Sequence, residues 1–231
     1  MTTDLYTETP FVKKKMPSVV NGINVTRHKA YTVSGEAHYV LAPGMVQSFL
    51  SKNADIIHTH SYGYFQNHAG WIRERFQSTP WVITPHFHPS WSMWGGSKRK
   101  TLREFYDTVI GKGTLEAADL ITCVSKHERD MLVSEIGLKE DNIKIIYNGI
   151  NWADWSSVPN KEVFRKQYPT VSEKFVLFAG RLATNKGLSD LISAMQLIDK
   201  KSVDLVITGA DMGLGKQLEK EASDKGVKMH R

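Results

Sequence analysis

The sequence predicts an α/β fold in which parallel β-strands alternate with α-helices. Short apolar runs, rich in β-branched and aromatic residues, recur along nearly the whole chain. Between them lie stretches whose apolar residues are spaced three and four positions apart, which is the spacing of one helix face. The chain has 231 residues, of which 41% are hydrophobic and 23% are charged, an ordinary globular composition. That length suits one large domain or two smaller ones.

The run at residues 175–179 is too short, and too rich in β-branched and aromatic residues, for a helix, and it is typical of a buried parallel strand. The predicted strands cover residues 23–28, 55–60, 81–87, 120–124, 143–147, 175–179 and 203–208. The predicted helices lie near residues 36–52, 64–77, 98–118, 126–136, 187–199 and 214–225. This alternation indicates βαβ units on parallel sheets.

The alternation is interrupted between residues 150 and 172. Trp152, Trp155, Pro159 and Pro169 lie in this stretch, and they fit neither the strand period nor the helix period. We therefore expect a first domain at residues 1–150, a linker at 151–172 and a second domain at 173–231.

Composition excludes several classes of protein. No run of about 18 apolar residues predicts a membrane span, and the first residues lack the pattern of a signal peptide. A single cysteine, Cys123, lies in an apolar run, so we expect a small core residue in a reducing, cytoplasmic compartment. The net charge of +6 favours an anionic ligand, but no nucleic-acid-binding motif accompanies it. The run at residues 13–15 leaves a weak peripheral contact with a membrane open.

Polar residues gather where the predicted strands end. In open α/β sheets, ligands bind beyond the carboxyl ends of the strands. The residues there are His58-Thr59-His60-Ser61, Thr84-Pro85-His86-Phe87-His88, Ser125-Lys126, Asn148-Gly149, Gly180-Arg181 and Gly209-Ala210-Asp211. A single histidine at a strand end is more often a hydrogen-bonded structural residue, so the collection rather than any one member indicates a site.

The segment "FAGRLATNKG", residues 178–187, places two cations between a predicted strand and a predicted helix. Arg181 and Lys186 lie in this loop, next to the helix N-terminus. Since the positive end of the helix dipole disfavours nearby cations, the pair predicts an anionic ligand.

The order of several segments resembles the retaining nucleotide-sugar glycosyltransferases of family 4. After the His-x-His and Thr-Pro-His strands come "AADLITCVSKHE", "KIIYNGIN" and "VLFAGRLATNKG". The resemblance implies a GT-B fold, with two Rossmann-like, doubly wound parallel-sheet domains and a donor held between them. It also implies that Gly180, Arg181 and Lys186 hold the donor diphosphate, whose charge grows as the sugar leaves.

The same resemblance implies roles for other strand-end residues. His86 matches the active-site histidine of the family, and His60 is a weaker candidate on the acceptor side. The residues expected to line the cleft are Ser125, Asn148, Gly149 and Gly209. No Asp-x-Asp motif is present, and the family usually works without a bound metal, so we expect none. The implied partners are a nucleotide-diphosphate sugar and a saccharide or lipid-linked acceptor.

Two departures from the family pattern predict that this chain is a fragment. The first strand of the family, with its glycine-rich loop, would precede Met1, and its paired glutamates would follow Arg231. We therefore interpret both domains as incomplete and expect the fragment itself to be inactive.

Two other functions remain open: a sugar-nucleotide epimerase or phosphorylase of the same fold, and an inactive nucleotide-binding remnant. The stretch "GADMGLGKQ" is interpreted as a glycine-rich turn rather than a phosphate-binding loop, because Gln217 replaces the required Ser or Thr. Trp91, Met93 and Trp94 indicate an acceptor lid, a membrane anchor or simple packing under a loop.

Overall fold

The structure is a computed structural model that describes residues 19–20, 22–33, 36–89, 96–158, 160–198 and 203–231. The chain divides into two compact units, Met1–Ile150 and Asn151–Arg231, here called the N-terminal and C-terminal units. The lysine run at 13–15 and the aromatic loop at 91–94 lie outside the described residues.

The N-terminal unit begins with two short antiparallel pairs. Strand β1 (Val19–Val20) pairs with β2 (Ile23–Asn24), and β3 (Tyr31–Val33) pairs with β4 (Glu36–Leu41). Helix α1 follows at Pro43–Ser51.

Two predictions for this region were therefore wrong in part. Residues 23–28 do not form a parallel strand, and the predicted helix at 36–52 is a strand followed by a shorter helix. Proline fits the first turn of a helix but breaks its interior, so Pro43 starts α1 and prevents a helix from running through it.

A four-stranded parallel sheet forms the centre of the N-terminal unit. Its strands are β5 (Ile57–His60), β6 (Trp81–Thr84), β7 (Leu120–Cys123) and β8 (Ile143–Ile145), paired in that order. All four coincide with predicted strands, and all pair in parallel, as the apolar runs predicted.

Helices connect these strands. Helix α2 (Phe65–Gln77) follows β5, and α3 (Gly96–Tyr106) follows β6. A π-helical turn at Asp107–Gly111 joins α3 to α4 (Lys112–Glu116). Helix α5 (Lys126–Met131) continues into a second π-helical turn at Leu132–Ile136.

The core of this unit packs helix residues against the inner strands. Trp81, Ile83, Leu115 and Leu132 have no exposed surface. Cys123 belongs to the same core as a free thiol, as predicted, and burial raises its pKa to about 12. At such a pKa the thiol stays protonated and behaves as a small apolar side chain.

The C-terminal unit contains a parallel sheet of three strands. Strands β9 (Lys174–Ala179), β10 (Val203–Thr208) and β11 (Met229–His230) are paired in chain order. Helix α6 (Lys161–Gln167) precedes β9, α7 (Leu188–Met195) follows β9, and α8 (Gly215–Asp224) follows β10.

The core of this unit lies between the helices and the sheet. It includes Leu182, Ile192, Leu205, Ile207 and Leu218. In the parts of the chain that the structure describes, no helix of either unit is long and apolar enough to cross a membrane.

A buried carboxylate, Asp204, connects the segment before β9 with the last strand of the C-terminal unit. Asp204 accepts hydrogen bonds from the backbone N–H and the hydroxyl of Ser172, at 2.9 and 2.7 Å. It also lies 2.7 Å from Nε2 of His230 and 2.9 Å from Nζ of Lys228. Burial opposes the charged form, but the bonds from Lys228, Ser172 and His230 prevail and hold the pKa of Asp204 well below its usual range.

Candidate active site

Three histidines meet at the carboxyl edge of the parallel sheet in the N-terminal unit. The imidazole rings of His58 and His60 are 4.4 Å apart between centroids. Atom Nδ1 of His60 lies 3.3 Å from Nε2 of His86, and those two rings are stacked at an angle of 20°. The structure thus brings together His60 and His86, the two histidines that the sequence nominated.

Backbone hydrogen bonds between the ends of β5 and β6 determine this meeting. His60 is paired with Thr84, so the segments that follow β5 and β6 leave the sheet side by side. Ser61 N–H donates to Thr84 O at 2.9 Å, and Tyr62 N–H donates to Pro85 O at 2.6 Å.

The segments that follow β5 and β6 each contain one residue with a strained backbone conformation. Ser61 has φ of +71° and His86 has φ of +47°, in the left-handed region that non-glycine residues avoid. Such residues are retained where the surroundings hold them, and they cluster at functional sites.

His58 belongs to the same cluster, although the sequence reasoning did not select it. Its Nε2 lies 2.7 Å from Oγ1 of Thr84, which lies 2.5 Å from Oγ1 of Thr122. These contacts link the histidine to the two central strands through two buried hydroxyls. The signal was present in the His-x-His pattern, because alternate residues of a strand share one face.

Two histidines of the cluster, His58 and His60, are held in their neutral forms near neutral pH. Burial, and then the nearby His86, lower the pKa of His58. Burial also lowers the pKa of His60, with further contributions from His58 and His86. Since a second positive charge is disfavoured here, each of these two rings keeps one nitrogen free to accept a hydrogen bond.

A polar network lies behind the loop that carries His86. The Nε atom of Arg103 donates to Oδ1 of Asp107 at 2.6 Å, and the Tyr62 hydroxyl donates to the same oxygen at 2.9 Å. Arg103 also donates to His88 O at 3.3 Å, and its guanidinium lies 4.7 Å from the Tyr62 ring centroid. The network connects the loops after β5 and β6 to the helix made by α3 and its π-helical turn.

Ser125, Asn148 and Gly149 follow the other strands of this sheet. Ser125 is the N-cap of α5, and its hydroxyl accepts the N–H of Glu128 at 3.1 Å. Asn148 and Gly149 are exposed beyond β8. All three lie at the predicted edge, and whether they line a cleft stays a prediction.

In the C-terminal unit, the loops after β9 and β10 run side by side. Gly180 N–H donates to Thr208 O, and Leu182 N–H donates to Ala210 O, both at 2.9 Å. Gly209 has φ of +142°, and a Cβ atom there would lie 1.9 Å from Gly180 O. Only glycine fits at position 209, because any side chain there would collide with the backbone of Gly180.

Arg181 and Lys186 are both exposed in the loop between β9 and α7. A 3₁₀ turn at Thr184–Lys186 leads to Gly187, which has φ of +65° and directly precedes α7. Two cations thus lie in one short loop at the start of a helix, an arrangement suited to an anion.

The segment at 209–217 forms a turn around its own aspartate. Oδ1 of Asp211 accepts the N–H groups of Gly213 and Gly215, at 2.8 and 3.0 Å. A phosphate-binding loop directs such groups to its ligand, whereas here a side chain of the protein occupies them.

Comparison with known proteins gives consistent matches to one class of enzyme. A model of Glycosyltransferase Family 4 matches residues 4–153, and a model of Glycosyl transferases group 1 matches residues 160–230. An uncharacterized glycosyltransferase of Methanocaldococcus jannaschii is 37% identical over 102 residues, which are 42% of this chain and 26% of that protein.

A longer match is to the GDP-mannose:cellobiosyl-diphosphopolyprenol alpha-mannosyltransferase of Xanthomonas oryzae pv. oryzae. It is 23% identical over 199 residues, which cover 84% of this chain and 47% of that enzyme. Among solved structures, Anabaena HepE in complex with UDP-glucose has a TM-score of 0.57 and 20% identity, covering 82% of this chain and 51% of that one. The chain therefore spans about half the length of these two proteins, or less for other relatives.

Proposed function

Because the chain belongs to Glycosyltransferase Family 4, we propose that the protein transfers a sugar from a nucleotide-diphosphate donor to an acceptor, with retention of anomeric configuration. The GT-B fold class predicted from the sequence is confirmed by the parallel sheets of both units and by the likeness to HepE.

One observation carries the proposal most directly: the strained His86 and its contact with His60. A histidine held at φ of +47° beyond a central strand is placed where α/β enzymes bind substrates. Nδ1 of His60 faces Nε2 of His86, so a single proton between them forms a hydrogen bond in which one ring donates and the other accepts. In the proposed reaction, His86 contacts the donor sugar or the reacting groups, and His60 contributes from the acceptor side.

The proposed donor diphosphate site is the loop that carries Arg181 and Lys186. As the bond to the sugar breaks, negative charge grows on the diphosphate oxygens of the leaving group. A guanidinium and an ammonium stabilise that charge, and the Gly180–Gly209 contact holds the base of the loop. The proposal includes no resident metal ion, since these two cations supply the positive charge. The Anabaena structures that contain UDP or UDP-glucose support a nucleotide sugar as the donor.

For the acceptor, we propose a saccharide or a lipid-linked saccharide. The name of the Xanthomonas relative specifies a diphosphopolyprenol-linked acceptor for that enzyme. We also propose a cytoplasmic location, with peripheral contact at the inner face of the membrane. The single cysteine supports it, since Cys123 is a buried free thiol, which suits a reducing compartment.

We propose further that the 231 residues alone do not transfer sugar. Within the described residues, β5 has a strand neighbour on one side only, and relatives such as HepE are about twice as long as the matched region. Transfer is therefore tested in enzyme purified from its natural source, whereas nucleotide binding can be tested in the 231-residue chain.

The experiment titrates the chain with UDP, GDP and ADP by calorimetry and then supplies the native enzyme with the matching nucleotide sugars. We expect one nucleoside diphosphate to bind, and the anomer of the product, read by NMR, to match that of the donor. Absence of binding to every nucleotide, or an inverted product, would contradict the proposal.

A further inference from the structure

Glu128 is a buried carboxylate that joins the ends of two strands in the N-terminal unit. Only 4% of its surface is exposed. Its Oε1 accepts the backbone N–H of Phe87 at 2.8 Å, and its Oε2 accepts the N–H of Val124 at 2.8 Å. Phe87 lies in the loop after β6 and Val124 directly follows β7, so one side chain connects the exits of neighbouring strands.

Helix capping does not explain where this carboxylate lies. Ser125 is the N-cap of α5, and Glu128 is the third residue of the helix, which is the spacing of a capping box. In a capping box the carboxylate returns to the N–H of the cap residue itself. Here it accepts from Val124, before the cap, and from Phe87 on another strand, so it serves the loop after β6 as well as its own helix.

Phe87 is the residue that follows His86 in the chain. The backbone of His86 lies in the left-handed region, which is unfavourable for a residue with a side chain, and it persists only where neighbouring contacts fix it. On one side, Tyr62 N–H holds Pro85 O. On the other side, Glu128 holds the N–H of Phe87 through a charge-assisted hydrogen bond.

We propose that Glu128 is a positioning residue, which fixes His86 in its strained conformation facing His60. The inference rests on the proposed function for the catalytic role of His86, but the geometric claim can be tested without turnover. A carboxylate is required because two backbone donors converge on it. Glutamine offers only one accepting oxygen, so one of the two N–H groups would face an NH₂ group.

The first test compares Glu128→Gln with Ser125→Ala in the 231-residue chain. The two-dimensional ¹H–¹³C NMR signals of the histidine rings are recorded, and the His86 signal is identified by its loss in His86→Gln. We expect Glu128→Gln to shift the His86 signal and to split or broaden it, as the loop samples other conformations. Ser125→Ala removes the helix cap but leaves the carboxylate, so the His86 signal should stay in place.

A second variant, Glu128→Asp, keeps the charge but is one methylene too short to reach both donors. It should also disturb the His86 signal, and it replaces the glutamine variant if that variant does not fold. An unchanged His86 signal in either folded variant would overturn the proposal. If neither variant folds, Glu128 stabilises the whole unit, and the specific role assigned to it is likewise rejected.

The native enzyme separates this inference from the proposed function. There we expect Glu128→Gln to lower kcat about tenfold while the Kd of the nucleoside diphosphate stays unchanged. A His86→Ala variant with full kcat would reject the catalytic role proposed for His86, whatever the NMR signals show. Native enzyme that transfers no sugar from any nucleotide donor would instead reject the proposed function.

Discussion

Nδ1 of His60 lies 3.3 Å from Nε2 of His86, although the two residues close different strands of the sheet. Between two imidazole nitrogens at this distance, one must donate and the other must accept. The tautomer and the orientation of each ring therefore depend on the other. A change at His60 is transmitted to His86, and this coupling gives the first prediction.

Replacing His86 by alanine should lower turnover far more than it lowers nucleotide affinity. The reason is that His86 is proposed to act on the reacting groups, whereas the proposed nucleotide site is the loop that carries Arg181 and Lys186. His60→Ala should reduce turnover less, because it removes the partner but leaves the His86 ring. Steady-state kinetics of the native enzyme, together with calorimetry, measure both effects. Equal losses in kcat and in nucleotide affinity would identify His86 as a structural residue.

The stability of the N-terminal unit should fall as the pH drops below about 6.5. The pKa values of His58, His60 and His68 are lowered from 6.5 in the folded chain, so the unfolded chain binds more protons in that range. The contribution of the neutral histidines to the free energy of unfolding is therefore fully present above pH 6.5 and is lost as the pH falls below it. Melting temperatures at about pH 7.5 and about pH 5.5 measure the loss. His60→Gln should show a smaller difference, and an equal difference would argue against the histidine cluster as its cause.

Arg181→Ala and Lys186→Ala should each weaken nucleoside-diphosphate binding by about ten- to a hundredfold, because each would remove a proposed charged hydrogen bond to the diphosphate. Lys174→Ala is the matched control. Lys174 is an exposed cation at the amino end of β9, the strand that precedes the loop of Arg181 and Lys186. Calorimetry on the 231-residue chain measures all three affinities. The assignment fails if the loop variants bind as the unchanged chain does, or if Lys174→Ala weakens binding equally.

Two glycines of one helical segment should respond in opposite directions to alanine. A Cβ atom at Gly111 would lie 1.7 Å from Oη of Tyr62, a buried side chain, so Gly111→Ala should destabilise by about 1–3 kcal/mol. At Gly113 the added Cβ would meet no atom within 4 Å outside its chain neighbours and the backbone of its own helix, so Gly113→Ala should stabilise by about 0.5–1 kcal/mol. Urea unfolding gives both free energies. A Gly111→Ala chain as stable as the original would show that Tyr62 can move aside at little cost.

Asp204→Ala should destabilise the C-terminal unit by about 1–3 kcal/mol, because the partly buried Ser172 and His230 would lose a charged acceptor. Asp224→Ala, an exposed position at the end of α8, should change stability by less than about 0.5 kcal/mol. Chemical denaturation followed by circular dichroism compares the two variants. Similar losses in both would mean that the contacts around Asp204 contribute little.

The sequence was sufficient for strands β5 to β10 of the parallel sheets, because short apolar segments alternate with helical patterns along the chain, but it did not predict β11 at Met229–His230. It was insufficient at residues 36–52, where a strand precedes Pro43 and a shorter helix begins at it. The strand-end rule located His60 and His86, since parallel strands bring their carboxyl ends to one edge. The rule does not locate the network of Tyr62, Arg103 and Asp107, because Tyr62 and Asp107 are 45 residues apart and share no local sequence pattern.

The strands of both sheets are paired in the order in which they are synthesised. On the ribosome, every strand from β6 to β8 therefore emerges next to a partner that is already present. Elongation proceeds at about 5–20 residues per second, which is slow compared with local pairing. Glu128, however, is made 41 residues after Phe87. The hydrogen bond from Phe87 to Glu128 can therefore form only after β7 and the start of α5 have been added, so the loop that carries His86 is completed later than β5 and β6.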